Sequence, residues 1–302
     1  MKFLITGGTG FIGTYLTRKL LQNGHDVTVI GRSSAPVVRS DLFHTITGDT
    51  TRNGSWQDAL KDVDAVINLA GTSIFHRWTS AYKQQIYDSR ILTTRNVVAG
   101  MSGDHPQTLI STSAVGYYGG RGDDILTESE PCGGDFLSKV GKDWEEEAFE
   151  AEKKNIRVVT ARFGVVLGRN GGALKQMITP FKWFAGGPMG NGRQWFSWIH
   201  ILDLVAGLMF LLENVKFQGP VNLCSPTPVT SGELASTLGA ILGRPAVIPA
   251  PSLALRLVLG EFAETLLSSQ RAIPEKLIQS GFVFRFPDLK SALNDLCQSH
   301  SN

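Results

Sequence analysis

Gly7-Gly8-Thr9-Gly10-Phe11-Ile12-Gly13 directly follows a short apolar run, Met1-Lys2-Phe3-Leu4-Ile5-Thr6. Glycines at this spacing, between a strand and an amphipathic helix, suit one task well: seating the pyrophosphate of a dinucleotide. The turn out of the strand is tight, the backbone must approach the phosphates closely, and the helix must pack against the strand. The phosphates then meet the free N–H groups and positive dipole end of a helix beginning near Phe11. Phe11, Ile12, Tyr15, Leu16 and Leu20 share one helical face, and Gly24 is a C-terminal stop. The pattern predicts cofactor contacts from Gly7, Thr9, Gly10, Phe11, Ile12 and Gly13. The bland alternative is an ordinary glycine-rich turn.

The end of the second predicted strand chooses the cofactor. NAD sites place an acidic residue about twenty residues past the glycines, to bond the ribose 2′-hydroxyl. Here the strand ends Ile30-Gly31-Arg32-Ser33. No carboxylate repels a 2′-phosphate, and Arg32 can grip one with its planar fork of donors. NADP(H) is therefore expected, held by Gly31, Arg32 and Ser33. The alternative is that Arg32 is a solvated surface residue. Asp49 suits the adenine edge. Asn68, Leu69, Ala70 and Gly71 end a strand where ligands of such sheets bind, on the nicotinamide ribose side.

The elements that must position these residues alternate in type. Strands are predicted at His25–Ile30, His44–Thr47, Ala65–Ala70, Thr108–Ser113 and Arg157–Arg162. Helices are predicted at Ser80–Met101 and Phe136–Lys154. Such alternation implies βαβ units in an α/β, Rossmann-type, doubly wound parallel sheet, here over residues 1–166. Beyond that point the alternation fails, in segments rich in Gly and Pro and the aromatic run Trp195-Phe196-Ser197-Trp198. Residues 167–302 are read as a smaller C-terminal, substrate-side domain, with Val221-Asn222-Leu223 a candidate to return to the sheet.

Composition narrows the class. The 302 residues are 42% hydrophobic and 19% charged, which is globular rather than disordered. A net charge of +2 and the lack of a basic stripe argue against nucleic acid. Cys132, Cys224 and Cys297 are few, odd in number and without CxxC spacing, so no metal site is expected and a reducing, cytoplasmic setting is. No basic-then-apolar leader is evident. The apolar stretch Ile248–Leu259 is broken by Pro249, Pro251 and Arg256, so no membrane span is expected. A small-molecule substrate is expected, bound by a monomer or homodimer.

These residues resemble a known family. TGGTGFIG, Leu69-Ala70-Gly71 and Ser111-Thr112-Ser113-Ala114-Val115 resemble the extended short-chain dehydrogenase/reductases. More narrowly, the chain looks like the atypical branch labelled "epimerase family protein", which carries a C-terminal domain of unknown function. Four segments carry that closer likeness: Asp88-Ser89-Arg90-Ile91, Gly164–Gly168, Trp195–Asp203 (WFSWIHILD) and Pro274–Leu293 (PEKLIQSGFVFRFPDLKSAL). The likeness covers essentially the whole chain. It implies NADP(H) binding with Arg32 and Arg90 near the nucleotide. Oxidoreductase or epimerase chemistry by hydride transfer on a small carbonyl or carbinol compound is expected, with sugar-nucleotide-like compounds among the candidates.

The family's usual acid/base device is absent from its usual place. A Tyr-x-x-x-Lys pair lets a lysine one helical turn away lower the tyrosine pKa of about 10. Here Phe136 or Leu137 stands where the tyrosine belongs, and the single Tyr-x-x-x-Lys match, Tyr15 with Lys19, falls in the first helix. Ser113, at the end of its strand, can polarise a carbonyl or merely satisfy backbone groups. Tyr117 and Tyr118, just beyond it, can supply a phenol or simply pack. His200 titrates in a useful range, though a structural histidine bonding a loop is expected. Lys139 and Lys142 are expected to be solvated, and Glu145-Glu146-Glu147 reads as a solvated helix face. Without the pair, a regulatory or redox-sensing NADP(H)-binding protein with little turnover is the alternative.

Overall fold

The computed structural model describes residues 1–32, 38–169 and 171–297. Seven parallel strands form one sheet: β1 (Lys2–Thr6), β2 (Asp26–Gly31), β3 (Phe43–Thr47), β4 (Ala65–Asn68), β5 (Thr108–Ala114), β6 (Arg157–Phe163) and β7 (Gly219–Leu223). Their spatial order is β7-β6-β5-β4-β1-β2-β3. The chain leaves β1 toward β2 and β3, then crosses back to β4 on the other side of β1. The carboxyl ends of β1 and β4 therefore flank the point where the winding reverses, the place where such sheets bind ligands. Thr6 and Asn68 are paired across it.

Strand periodicity explains the two-sided core. Phe3 and Ile5 turn to one face, joining Leu16 and Leu20 of helix α1 (Phe11–Gln22). Leu4, between them, turns to the other face with Trp56, Leu60 and Val97. That second face is covered by helices α2 (Ser80–Gly100) and α3 (Phe136–Phe149). Every residue of β4 is buried, as its unbroken apolar run requires of a strand covered on both sides.

Residues beyond 166 do more than form a separate lobe. After helix α4 (Gly172–Lys182), helix α5 (Ile201–Glu213) carries Leu204 and Leu208 into the β1 face of the core, and β7 then joins β6 in register. The β–α–β alternation thus resumes once the aromatic segment has been passed. A second core, built from Leu174, Trp198, Leu234, Leu238, Leu293 and Leu296, supports the C-terminal part. The helix expected over residues 136–154 is regular only to Phe149; a tighter turn covers Glu150–Lys154 and ends at Asn155, whose φ is 59°. Among the described residues no helix is long and apolar enough to cross a membrane.

Candidate functional site

The glycine segment forms a backbone cradle at the carboxyl end of β1. Gly7 has φ +67°, open to glycine at little cost, and a Cβ there would press on Ala70 of the β4 exit at 3.0 Å. A Cβ on Gly13 would collide with the Gly7 carbonyl, so this glycine lets α1 lie on the strand exit. Gly10 caps α1 with extended backbone and no side-chain partner. The first N–H groups of a helix, here those of Phe11, Ile12 and Gly13, have no carbonyl partner within the helix and suit an anion. The Phe11 ring lies edge-on to Tyr15 and fills the space beside Gly171, so Phe11 offers its backbone rather than its ring. Thr9 is exposed beside the cradle.

At the end of β2, the Gly31 carbonyl accepts from Gly48 N at 3.0 Å and Arg32 is exposed. Ser33 lies outside the described residues. Asp49 accepts from Thr51 N and Thr51 Oγ1 at 3.1 and 2.7 Å; those bonds, with Arg52 and Arg32 nearby, hold its carboxyl below the usual range.

Asn68 is fully buried and already engaged. It accepts from Thr6 Oγ1 at 2.6 Å and donates to Thr94 Oγ1 at 2.8 Å, fastening β1, β4 and α2 together. Leu69, Ala70 and Gly71 continue outward as partly or fully exposed backbone. Arg90 reaches back from α2: its guanidinium lies about a side chain's width from Gly71, donates to the Thr72 and Ile86 carbonyls, and sits 5.2 Å from the Trp144 ring. Burial lowers its pKa to about 10. Ser89 Oγ accepts from Thr72 N at 3.0 Å. The Asp88–Ile91 segment therefore shapes the loop leaving β4.

The three candidates near the end of β5 differ sharply in surroundings. Ser113 is buried and donates to Glu145 Oε1 at 2.6 Å. Glu145 in turn holds Arg162 of β6 in a two-pronged ion pair, at 2.7 and 2.8 Å. Arg162 donates to Tyr118 OH at 2.9 Å, and Tyr118 OH donates to Asn222 Oδ1 at 2.7 Å. Tyr118 is wholly buried, and burial drives its pKa upward despite Arg162. Tyr117 is half-buried, with Arg162 under its ring; burial raises its pKa while Arg162 opposes the rise. Asn222 N donates to Glu128 Oε1 at 3.0 Å, so the polar chain runs from β5 to β7.

Glu145 corrects the reading of residues 145–147 as a solvated face. It is 4% exposed, whereas Glu146 is exposed. The missed signal was spacing: Leu137, Gly141 and Glu145 follow one another at single-turn intervals, on one face of the helix. A Cβ on Gly141 would already touch Tyr117 at 3.3 Å. Arg162 was unremarkable in a strand of apolar neighbours until β6 placed it beside α3. Lys139 is paired with Asp143 at the surface.

The two most distinctive C-terminal segments turn out to be one joint. Asp203 accepts from Arg285 N and Phe286 N at 2.8 and 2.9 Å, and His200 stacks on Phe286 at 3.9 Å. His200 Nδ1 accepts from Leu202 N, and burial lowers its pKa to about 4 although Asp295 pulls the other way. His200 is thus a neutral structural residue at pH 7. Trp198 is core, and Trp195 donates to Asp123 Oδ1.

A cavity of about 530 Å³ opens between the start of α3 and residues 256–270. Trp78, Phe136 and Leu137 form one wall, and Arg256, Glu264 and Leu267 lie opposite. Among the described residues, no group of three His, Cys, Asp or Glu side chains could hold a metal ion.

Comparison with known proteins agrees with this architecture. Residues 3–224 match the NAD dependent epimerase/dehydratase family, and residues 250–296 match a domain of unknown function, DUF1731. The epimerase family protein YfhF of Bacillus subtilis is 40% identical over 98% of each chain. The chloroplastic epimerase family protein SDR39U1 homolog of Arabidopsis thaliana is 39% identical, over 99% of this chain and 87% of that one. The crystal structure of human epimerase family protein SDR39U1 with NADPH superimposes with a TM-score of 0.85 at 36% identity, covering 98% of this chain and 99% of that one. With a family match spanning the whole sheet and relatives similar along their full length, the chain belongs to the NAD dependent epimerase/dehydratase family and carries a C-terminal DUF1731 domain.

Proposed function

We propose that the protein is an NADP(H)-dependent oxidoreductase or epimerase-like enzyme acting on a small carbonyl or carbinol compound. The observation that carries this reading is the glycine cradle at the switch point, with Arg32 rather than a carboxylate at the end of β2. The human relative solved with NADPH supports the same preference. A bound nicotinamide supplies or takes up the hydride. The chain's own part is to bind, orient and move the proton.

In this reading the α1 N–H groups and glycines hold the pyrophosphate, Arg32 and Ser33 hold the 2′-phosphate, and the backbone of Leu69–Gly71 flanks the nicotinamide end. Tyr117 is the proton donor. Its raised pKa keeps the phenol protonated at pH 7, and Arg162 stabilises the charge left when the proton goes to a carbonyl oxygen. Ser113, held by Glu145, positions this group from inside rather than meeting substrate. Residues 167–302, apart from β7, form the substrate side. The three free thiols suit a reducing compartment.

A second reading, a cofactor-binding protein with little turnover, draws on the absence of a Tyr-x-x-x-Lys pair from the start of α3, where Phe136 or Leu137 stands in place of the tyrosine. Incubation with C4-deuterated NADPH and a metabolite extract separates the two. Deuterium appearing in a metabolite supports the reductase and names its substrate. Tight NADPH binding without transfer to any metabolite, and without exchange in a sugar or alcohol substrate, favours the second.

A further inference from the structure

We propose that the cavity between α3 and residues 256–270 binds an uncharged carbonyl compound with an apolar tail, and not a nucleoside-diphosphate sugar. The proposal rests on the oxidoreductase reading for its carbonyl, and on the cavity alone for its tail.

Position comes first. Leu137 lies beside Gly116, within ordinary contact of a Cβ built there, and Ser268 lies beside Gly120. Arg121 N donates to the Ser269 carbonyl at 3.0 Å. The loop carrying Tyr117 therefore packs against residues that line the cavity, which puts the cavity next to the loop of the proposed donor. About 530 Å³ falls within the ~300–1,000 Å³ range of sites that enclose small ligands.

Charge argues against a diphosphate. The wall holds three carboxylates, Asp135, Glu261 and Glu264, against one guanidinium, Arg256. Arg256 is already bonded to Glu264 at 2.9 Å, and Glu261 is bonded to Lys83 at 2.6 Å. A diphosphate would face Asp135 and have to take Arg256 from Glu264. The start of α3 beside the cavity is already capped by Asp135, which accepts from Ser138 N at 2.8 Å, and Arg256, held by Glu264, is the one guanidinium among the lining residues, so no free fork or helix N-terminus awaits a phosphate.

The rim argues for a tail. The helix Ser252–Leu259 supplies Arg256 to the wall yet buries none of its residues. Leu253 and Leu257, one turn apart, are 67% and 69% exposed, and Val258 beside them is 69% exposed. An apolar face left open at the edge of a cavity marks a surface meant to be covered by a ligand or partner. A flexible chain leaving the cavity along Leu253 and Leu257 would cover it. Trp78 and Phe136, with ring centroids 5.3 Å apart, continue the apolar surface inward.

The test uses the NADPH-loaded full chain and the series octan-2-one, decan-2-one and dodecan-2-one, with UDP-glucose as the charged comparison. Affinities are read by titration calorimetry, independently of turnover. Affinity is expected to rise about fourfold per added methylene, the gain from burying one such group, while UDP-glucose gives no saturable heat. The exposed double substitution L253D/L257D is expected to flatten the chain-length series while NADPH affinity and melting temperature stay unchanged. UDP-glucose binding more tightly than dodecan-2-one, a flat series in the unsubstituted protein, or an unaltered series in L253D/L257D would each overturn the proposal. Failure of the oxidoreductase reading looks different: saturable ketone binding persists, but no deuterium passes from the cofactor.

Discussion

Tyr117 lies over the guanidinium of Arg162, 3.6 Å from its central carbon to the ring centroid. The cation comes from β6, not from the helix that usually supplies it. Gly141 of α3 carries no side chain, and Tyr117 packs into that space. Glu145 then fixes Arg162 from the same helical face. A phenol and a cation are thus brought together by three separate elements, where the family's usual pair needs only one.

Tyr117→Phe removes the phenol and keeps the ring over Arg162. Deuterium transfer from labelled NADPH is expected to fall by about 10²–10⁴-fold, the usual worth of a positioned proton donor. Melting temperature and NADPH affinity should hardly move. Transfer at the original rate would place the donor elsewhere.

Glu145→Ala leaves Arg162 charged and buried. Removing one partner of such a pair costs about 3–5 kcal/mol. The double substitution E145L/R162M removes both charges and is expected to cost much less than the two single changes together. Urea denaturation of the unsubstituted protein, E145L, R162M and E145L/R162M measures the difference; simple additivity would mean that the pair is not coupled.

Arg32→Asp puts a carboxylate where a 2′-phosphate is expected. Losing charge-assisted bonds worth about 1.5–3 kcal/mol should weaken NADPH binding roughly 10–100-fold and leave NADH binding little changed or improved. Fluorescence titration with both cofactors reads the ratio. A constant ratio would show that Arg32 does not select the phosphate.

His200 sets an acid limit on stability. Its pKa is about 4 when folded, against 6.5 for an ordinary histidine, because burial disfavours the charge. As pH falls below 6.5, the unfolded chain takes up a proton that the folded chain refuses, so stability is lost between pH 6.5 and about 4. The loss from this residue is at most about 3 kcal/mol. His200→Gln should flatten that stretch of a melting-temperature profile, whatever its effect at pH 7. An unchanged slope would assign the acid sensitivity to other groups.

Asp203→Ala frees the N–H groups of Arg285 and Phe286 inside the C-terminal joint. Each bond to a charged acceptor is worth about 1.5–3 kcal/mol, so a loss of several kcal/mol is expected. Hydrogen exchange should rise first at residues 282–286. Protection left intact there would show that the stack of His200 on Phe286 holds the joint alone.

Local rules made much of the sheet legible. Ala65–Ile67 are apolar because both faces of the strand are covered, and the glycines before Phe11 announce a strand–turn–helix join. The return of Val221-Asn222-Leu223 to the sheet was readable as a candidate, but its pairing with β6 was not, since the connecting helix follows a long aromatic segment. Glu145 and Arg162 were hidden for a related reason. A charged residue in sequence looks solvated unless its partner is known, and these partners lie 17 residues apart on different elements. His200 and Asp203 stood out as a motif, yet their partner Phe286 is more than 80 residues away.

The sequence by itself determined the strand–helix alternation, the glycine cradle and the family, because each rests on spacing within a few residues. Only the tertiary structure decided which polar groups are buried together, which tyrosine keeps an open edge, and where a cavity opens beside α3. Those outcomes depend on the packing of distant elements, and burial is what turns a surface carboxylate into the partner of an inner arginine.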